Sequence, residues 1–278
     1  MNKALFEMRK FSFICSLLFI LINTSYSQSV DSVTIKQHSF ELQSGYGFYR
    51  VKDVTESPLV YKHSFVPFNL IYNFQSTKWI HDINFLFFYT TLKSSITKGS
   101  FLSTQNITAG LDYSFLRNTN LKLPRNSNFY AGGSLINFGS YRNHNYTRVN
   151  QINGDVFFEL AIKTNIIKKI NSNSCISWDC SLPVFAYVML RRYNINGLPD
   201  AATNTSFNYL NLLKTGEFLA INKFVDFQTR FKYTVKYSNR WDISFTYLFR
   251  FYHYYRYESS FPVDAGINTL EMGLKLKL

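Results

Sequence analysis

The chain has 278 residues, a length that a single barrel or sandwich domain fills. Hydrophobic residues make up 46% and charged residues 17%, below the roughly 25% charged of a soluble domain. The net charge is +13, and aromatics reach 18% with 28 Phe, 20 Tyr and 3 Trp. Six Pro, 12 Gly and a mean hydropathy of -0.12 exclude collagen, low-complexity disorder and a helical membrane bundle. Three Cys exclude a disulfide-stapled miniprotein.

Residues 1–27 read as a secretory signal peptide. Lys3, Arg9 and Lys10 form the positive start, and residues 11–22 form an apolar-rich run. That run falls short of the roughly 20 residues of a membrane helix, the feature that argues against a retained anchor. Small Ser25 and Ser27 place the cut after Ser27, leaving residues 28–38 as a periplasmic amino-terminal segment. Cys15 lies inside the apolar run rather than at its end, so no lipid anchor is expected. Removing residues 1–27 takes out three cations and one anion, and the charge falls from +13 to +11.

Thereafter the chain repeats with a period of two, the signature of strands that bury or shield one face. Phe40, Leu42, Tyr46 and Phe48 alternate with Glu41, Gln43, Gly45 and Gly47. Val66, Phe68, Leu70 and Tyr72 follow, then Ile107, Leu111, Tyr113 and Phe115, which alternate with Thr108, Asp112 and Ser114. Val156, Leu160 and Ile162 alternate with Glu159 and Lys163, and Val225, Phe227 and Phe231 with Asp226, Arg230 and Lys232. Phe245, Tyr247, Phe249 and Phe251 alternate with Thr246 and Arg250, and Leu270 to Leu278 with Glu271 and Lys275. The pattern predicts ten strands near 39–51, 61–74, 79–92, 101–116, 129–141, 155–167, 175–191, 219–235, 241–256 and 267–278. Residues 79–92 and 192–218 also divide in ways that give eight or twelve.

Short turns at 75–78, 168–174 and 236–240 alternate with longer loops at 52–60, 93–100, 142–154, 192–218 and 257–266, which is the outer-membrane barrel arrangement. A soluble sandwich alternates too, but turns its apolar faces inward. Aromatics near strand ends favour the barrel, because two interfacial girdles use them. These are Tyr46, Phe48 and Tyr49, Trp79, Tyr113 and Phe115, Trp241, and Tyr252 to Tyr257. The expected fold is therefore all-β, a closed antiparallel transmembrane β-barrel of about ten strands over residues 39–278.

Over these residues the chain resembles the small outer-membrane β-barrels of Gram-negative bacteria, in strand pattern, loop asymmetry and terminal strand rather than in a specific motif. Such barrels often end in an aromatic residue; this chain ends in Leu278. The resemblance implies the cell outer membrane as location, and membrane lipid and the barrel-assembly machinery as partners.

Face parity sends Asp82, Asp112, Glu159, Lys163, Asp179, Asp226, Arg230, Lys232, Arg250, Glu271 and Lys275 to the lumen. Ionised groups in a narrow lumen need partners or water, so a charge-paired interior is expected; an ion or solute path is the alternative. Ten strands lie near the filled end of barrel sizes, against a general porin. Arg142, Arg148, Arg191 and Arg192 are expected at the outer rim, where phosphate-bearing lipopolysaccharide is a natural partner. Loop 192–218 contains apolar residues 209–213, suited to folding over the mouth or touching a protein partner.

Catalysis has little to build on. Some ten-stranded outer-membrane barrels are proteases that use carboxylates and a His at the rim. Residues 28–278 contain neither Asp-x-Asp nor Asp-x-His. His63 faces the lumen near the loop rim with Ser64 on the opposite face, out of hydrogen-bond reach. His253 belongs with the girdle. No pattern implies a cofactor, no His pair has metal-ligand spacing, and Cys175 and Cys180 point to opposite faces. A basic chain suggests nucleic acid, but export and apolar strands argue against it. The expected role is non-enzymatic, structural or in surface interaction through the loops. A narrow solute channel and a rim hydrolase are the alternatives.

Overall fold

A computed structural model describes residues 37–54, 59–94, 103–119, 121, 123, 127–144, 151–190, 216–256 and 261–278. The expected signal peptide, Arg148, Arg191, Arg192 and most of loop 192–218 lie outside the described residues.

Twelve strand segments form one sheet: β1 (Gln37–Asp53), β2 (Val60–Phe65), β3 (Phe68–Gln75), β4 (Trp79–Ser94), β5 (Ser103–Asn118), β6 (Ser127–His144), β7 (Gln151–Lys169), β8 (Ser174–Leu190), β9 (Glu217–Ala220), β10 (Phe224–Lys236), β11 (Trp241–Arg256) and β12 (Phe261–Lys277). Neighbours around the ring pair antiparallel, and β1 pairs with β12 from Ser39↔Lys277 to Asp53↔Val263. That last ladder closes the ring, and Leu278 N donates to His38 O at 3.0 Å beside it. A closed ring has no free edge to manage.

The twelve segments make ten spans. β2 and β3 both pair with β1 and β4, and only Val66 and Pro67 separate them. Pro67 has no N–H for the ladder; its carbonyl accepts a hydrogen bond from Ser44 Oγ at 2.8 Å. Likewise β9 and β10 both pair with β8 across a turn at 221–223. The strands expected as continuous at 61–74 and 219–235 are thus each interrupted once. A second proline, Pro183, is accommodated where the β7–β8 register shifts between Leu160 and Ala161, since a bulge tolerates a residue without a donor.

The period of two decides the faces. On β1, Phe40, Leu42, Tyr46 and Phe48 point outward and are exposed, while Ser39, Glu41, Gln43, Tyr49 and Val51 point inward and are buried. On β11, Phe245, Tyr247 and Phe251 are exposed, and Ser244, Thr246, Leu248, Arg250 and Tyr252 are buried. Phe85, Phe87, Leu111, Leu160, Ile162, Leu182, Leu270 and Met272 extend this apolar exterior around the ring. Two packed sheets would bury these side chains against each other, so a sandwich does not describe the fold.

Candidate functional site

The interior of the barrel is the candidate site, and it changes character along its axis. At the short-turn end, Lys232 Nζ pairs with Glu41, whose other oxygen accepts from Ser244 Oγ and Gln43 Nε2, each at 2.5 Å. Gln43 also donates to Thr246 at 3.1 Å. Asp242 pairs with Lys277 at 2.5 Å. Nearby, Ile80, Leu116 and Tyr130 form a small buried apolar cluster.

Further in, Lys163 Nζ lies 3.0 Å from Asp112 and donates to Ser114 at 2.6 Å. Asn73 donates to Asp82, and Asn165 to Asp179. Arg230 is buried close enough to act on Asp82, Asp112 and Lys163. Glu271 accepts from Asn69 and Thr269, each at 2.5 Å. Arg250 Nε donates to both oxygens of Asp226 at 3.1 and 2.9 Å, and its Nη2 reaches Glu159 at 3.1 Å. The Arg250 guanidinium also stacks 3.8 Å from the Phe138 ring centre, a cation–π contact that desolvation strengthens.

Beyond Arg250 the lumen becomes largely aromatic, with Asn106, Thr108 and Ser140 hydrogen-bonded to one another along β5 and β6. Tyr49, Phe65, Phe88, Phe138, Phe157, Phe224, Tyr252 and Tyr254 pack into one buried cluster with Val51, Leu92, Val188 and Val263. Phe65 stacks on Phe88 at 3.9 Å, and Phe157 meets Phe224, Tyr252 and Tyr254 edge-on at 5.2 to 5.4 Å. The Tyr49 and Tyr252 hydroxyls bond each other at 2.9 Å. Gly47 makes room: a Cβ there would stand 2.4 Å from the Phe65 ring. Above this layer, Arg142 bridges Asp155 at 2.7 Å and Asp53 at 3.1 Å.

Of the charges expected in the lumen, Asp112, Glu159, Lys163, Asp226, Arg230, Arg250 and Glu271 are buried, and Asp82, Asp179, Lys232 and Lys275 are half-buried. The structure joins Lys163 to Asp112, Arg250 to Asp226 and Glu159, and Lys232 to Glu41. Two expectations are corrected. Arg142 sits near the loop end as expected, but its side chain is 1% exposed, turned inward and ion-paired, because β6 runs on to His144 and keeps its inward parity. Tyr49, Tyr252 and Tyr254 are interior residues rather than girdle; Tyr46, Phe48, Trp79, Tyr113, Phe115 and Trp241 do point outward. Sequence reasoning also missed Glu41, Asp53, Asp155 and Asp242 as lumen acids, although each shares parity with a buried neighbour.

His63 Nδ1 lies 2.8 Å from Ser64 O and 3.4 Å from Thr90 Oγ1, and among the described residues no carboxylate touches it. His253 bonds Asp264 at 2.6 Å on the outward face. Cys175 and Cys180 are not joined in a disulfide, and among the described residues no group of three His, Cys, Asp or Glu is arranged to hold a metal.

No protein-family model matches this sequence, and no curated protein does. Solved structures do. The outer membrane protease OmpT of Escherichia coli is similar with a TM-score of 0.50 at 9% identity, covering 92% of this chain and 99% of that one. Neisserial surface protein A matches at a TM-score of 0.33 and 7% identity over 86% and 97% of the two chains. Ail, the attachment invasion locus protein of Yersinia pestis, matches at 0.33 and 11% over 88% and 100%. The likeness to OmpT is one of fold: a closed antiparallel transmembrane β-barrel.

Proposed function

We propose that this protein is an outer-membrane β-barrel with a closed interior, acting in a structural or surface-interaction role through its extracellular loops. The observation that carries this is the aromatic layer across the loop half of the lumen, in which Tyr49, Phe138, Phe157, Tyr252 and Tyr254 are all buried. A solute path needs a continuous wetted lining, and rings packed edge-on at 5.2 to 5.4 Å leave none at that level. The apolar exterior supports the location, since water would face contiguous apolar surface far beyond the few hundred Å² usual for soluble monomers.

On this reading residues 1–27 direct export and are removed, residues 28–38 start on the periplasmic side, and the barrel-assembly machinery inserts residues 39–278. Membrane lipid surrounds the barrel and lipopolysaccharide lies against its outer rim. The loops at 142–154 and 192–218 face outside, where a protein partner would meet them. The activity in the name of OmpT is not carried over: among the described residues His63 has a backbone carbonyl and Thr90 as neighbours and no acid to orient it.

Purified protein reconstituted in planar bilayers tests this. No conductance steps are expected across salts and voltages. Reproducible steps that vanish when the protein is omitted would contradict the closed interior.

A further inference from the structure

Three cations stand side by side on the outward face near the loop end. Arg50 on β1 is directly opposite Lys62 on β2, and Lys62 directly opposite Lys93 on β4. All three are exposed, and none makes an ion pair or hydrogen bond among the described residues. Directly opposed residues of antiparallel strands have Cα atoms about 4.5–5.5 Å apart, and like charges there repel. Three in a row therefore oppose the pairing of their own strands and favour an anion lying across them. Asp264, the acid on the neighbouring strand, is already bonded to His253.

The surface beneath the row fits the rest of an amphiphile. Tyr46 and Phe48 on β1, Val66 and Phe68 at the β2–β3 break, and Phe87 and Tyr89 on β4 are exposed toward the middle of the barrel. The opposite rim differs: Lys78, Arg117, Lys169, Lys236 and Arg240 are exposed there, two of them on one turn, but in the strand registers Arg117 faces Trp79, Lys169 faces Cys175 and Lys236 faces Asp242 rather than another cation. Arg117 has a partner of its own, stacking 5.2 Å from the Trp79 ring centre. Cations that do not face one another suit a general headgroup layer, whereas a directly opposed row over an apolar wall suits one bound molecule.

We infer that Arg50, Lys62 and Lys93 form a binding site for the phosphate groups of an outer-leaflet glycolipid, whose acyl chains lie along Phe48, Val66 and Tyr89. The guanidinium of Arg50 takes one phosphate in a forked contact, and the two ammonium groups neutralise it as point charges. The inference rests on the reading that the loops face the cell exterior.

The test uses the mature protein in detergent micelles, titrated with bisphosphorylated lipid A and followed by native mass spectrometry. Retention of that lipid is expected, with far weaker retention of the same lipid after enzymatic removal of its phosphates. The R50Q/K62Q/K93Q variant should bind roughly a hundredfold more weakly, and R50Q or K93Q alone about fivefold. K78Q/K169Q/K236Q at the opposite rim should bind as the parent does. Each variant is checked for folding by heat-modifiable gel migration, and the single variants decide the matter if the triple does not fold. Unchanged binding by the folded variants, or by the dephosphorylated lipid, would overturn the site. Equal retention of phosphatidylglycerol would overturn the glycolipid assignment. Micelle binding does not depend on orientation in a cell, so a failed localisation would appear separately, in membrane fractionation.

Discussion

The two halves of the lumen meet one requirement by different means. Toward the short turns the space is filled by charges and amides such as Glu41, Lys232, Asp112 and Lys163; toward the loops it is filled by rings such as Phe65, Phe88, Phe157 and Tyr252. Arg250 stands at the boundary, with Asp226 and Glu159 among its partners on one side and the Phe138 ring on the other. The contrast teaches that the inward face of a membrane barrel need only be filled and satisfied, not polar. A polar filling ties each side chain to particular partners, whereas an apolar one depends on volume and shape.

Substitutions at the boundary should have the largest effect. Arg250→Leu leaves Asp226 and Glu159 buried without their cation, and a loss of about 3–5 kcal/mol is expected from urea unfolding of the folded protein in lipid. Lys163→Met should cost about as much, while adding Asp112→Leu should recover most of it, because removing both members of a buried pair is far milder than removing one. Failure of the double variant to recover would mean that the polar half depends on these charges for more than their mutual pairing.

In the apolar half, Phe157→Ala should cost about 3 kcal/mol, and no second truncation should rescue it, because a cavity has no partner to remove. Gly47→Val should cost about 1–3 kcal/mol by pushing the Phe65 ring off its stack with Phe88, read as a lowered unfolding midpoint. The smallest effect is expected outside the lumen. His253 and Asp264 have side chains 26% and 42% exposed, so His253→Asn should change stability by less than about 1 kcal/mol.

Much of this was legible in the alternation. Parity alone put Asp112, Lys163, Asp226 and Arg250 inside, because a period of two leaves each strand residue only two directions. The same rule, applied without regard to residue type, would also have placed Tyr49 beside Val51 and Tyr252 beside Arg250 on the inward face. Residue type alone points them to the girdle instead, because aromatic side chains suit both a membrane interface and a packed core, and composition does not separate the two. Arg142 departs from its expected place for another reason: the polar residues after it read as loop, yet β6 continues to His144 with its ladder intact. Which acid pairs with which base was not legible, since partners such as Glu41 and Lys232 come from strands far apart in sequence and meet across the lumen. The break at 66–67 had a visible cause in Pro67, whereas that at 221–223 carries no proline or glycine.

The central claim is that outward side chains meet lipid while the loop half of the lumen is closed to water. A nitroxide scan along residues 241–256, with Cys175 and Cys180 replaced by Ser, tests it most directly in lipid bilayers. Collision with oxygen should peak at odd positions such as 245, 247 and 251, and a water-soluble nickel chelate should reach neither those positions nor 252. Free access of the chelate at 252, or loss of the two-residue rhythm in the oxygen signal, would contradict the account.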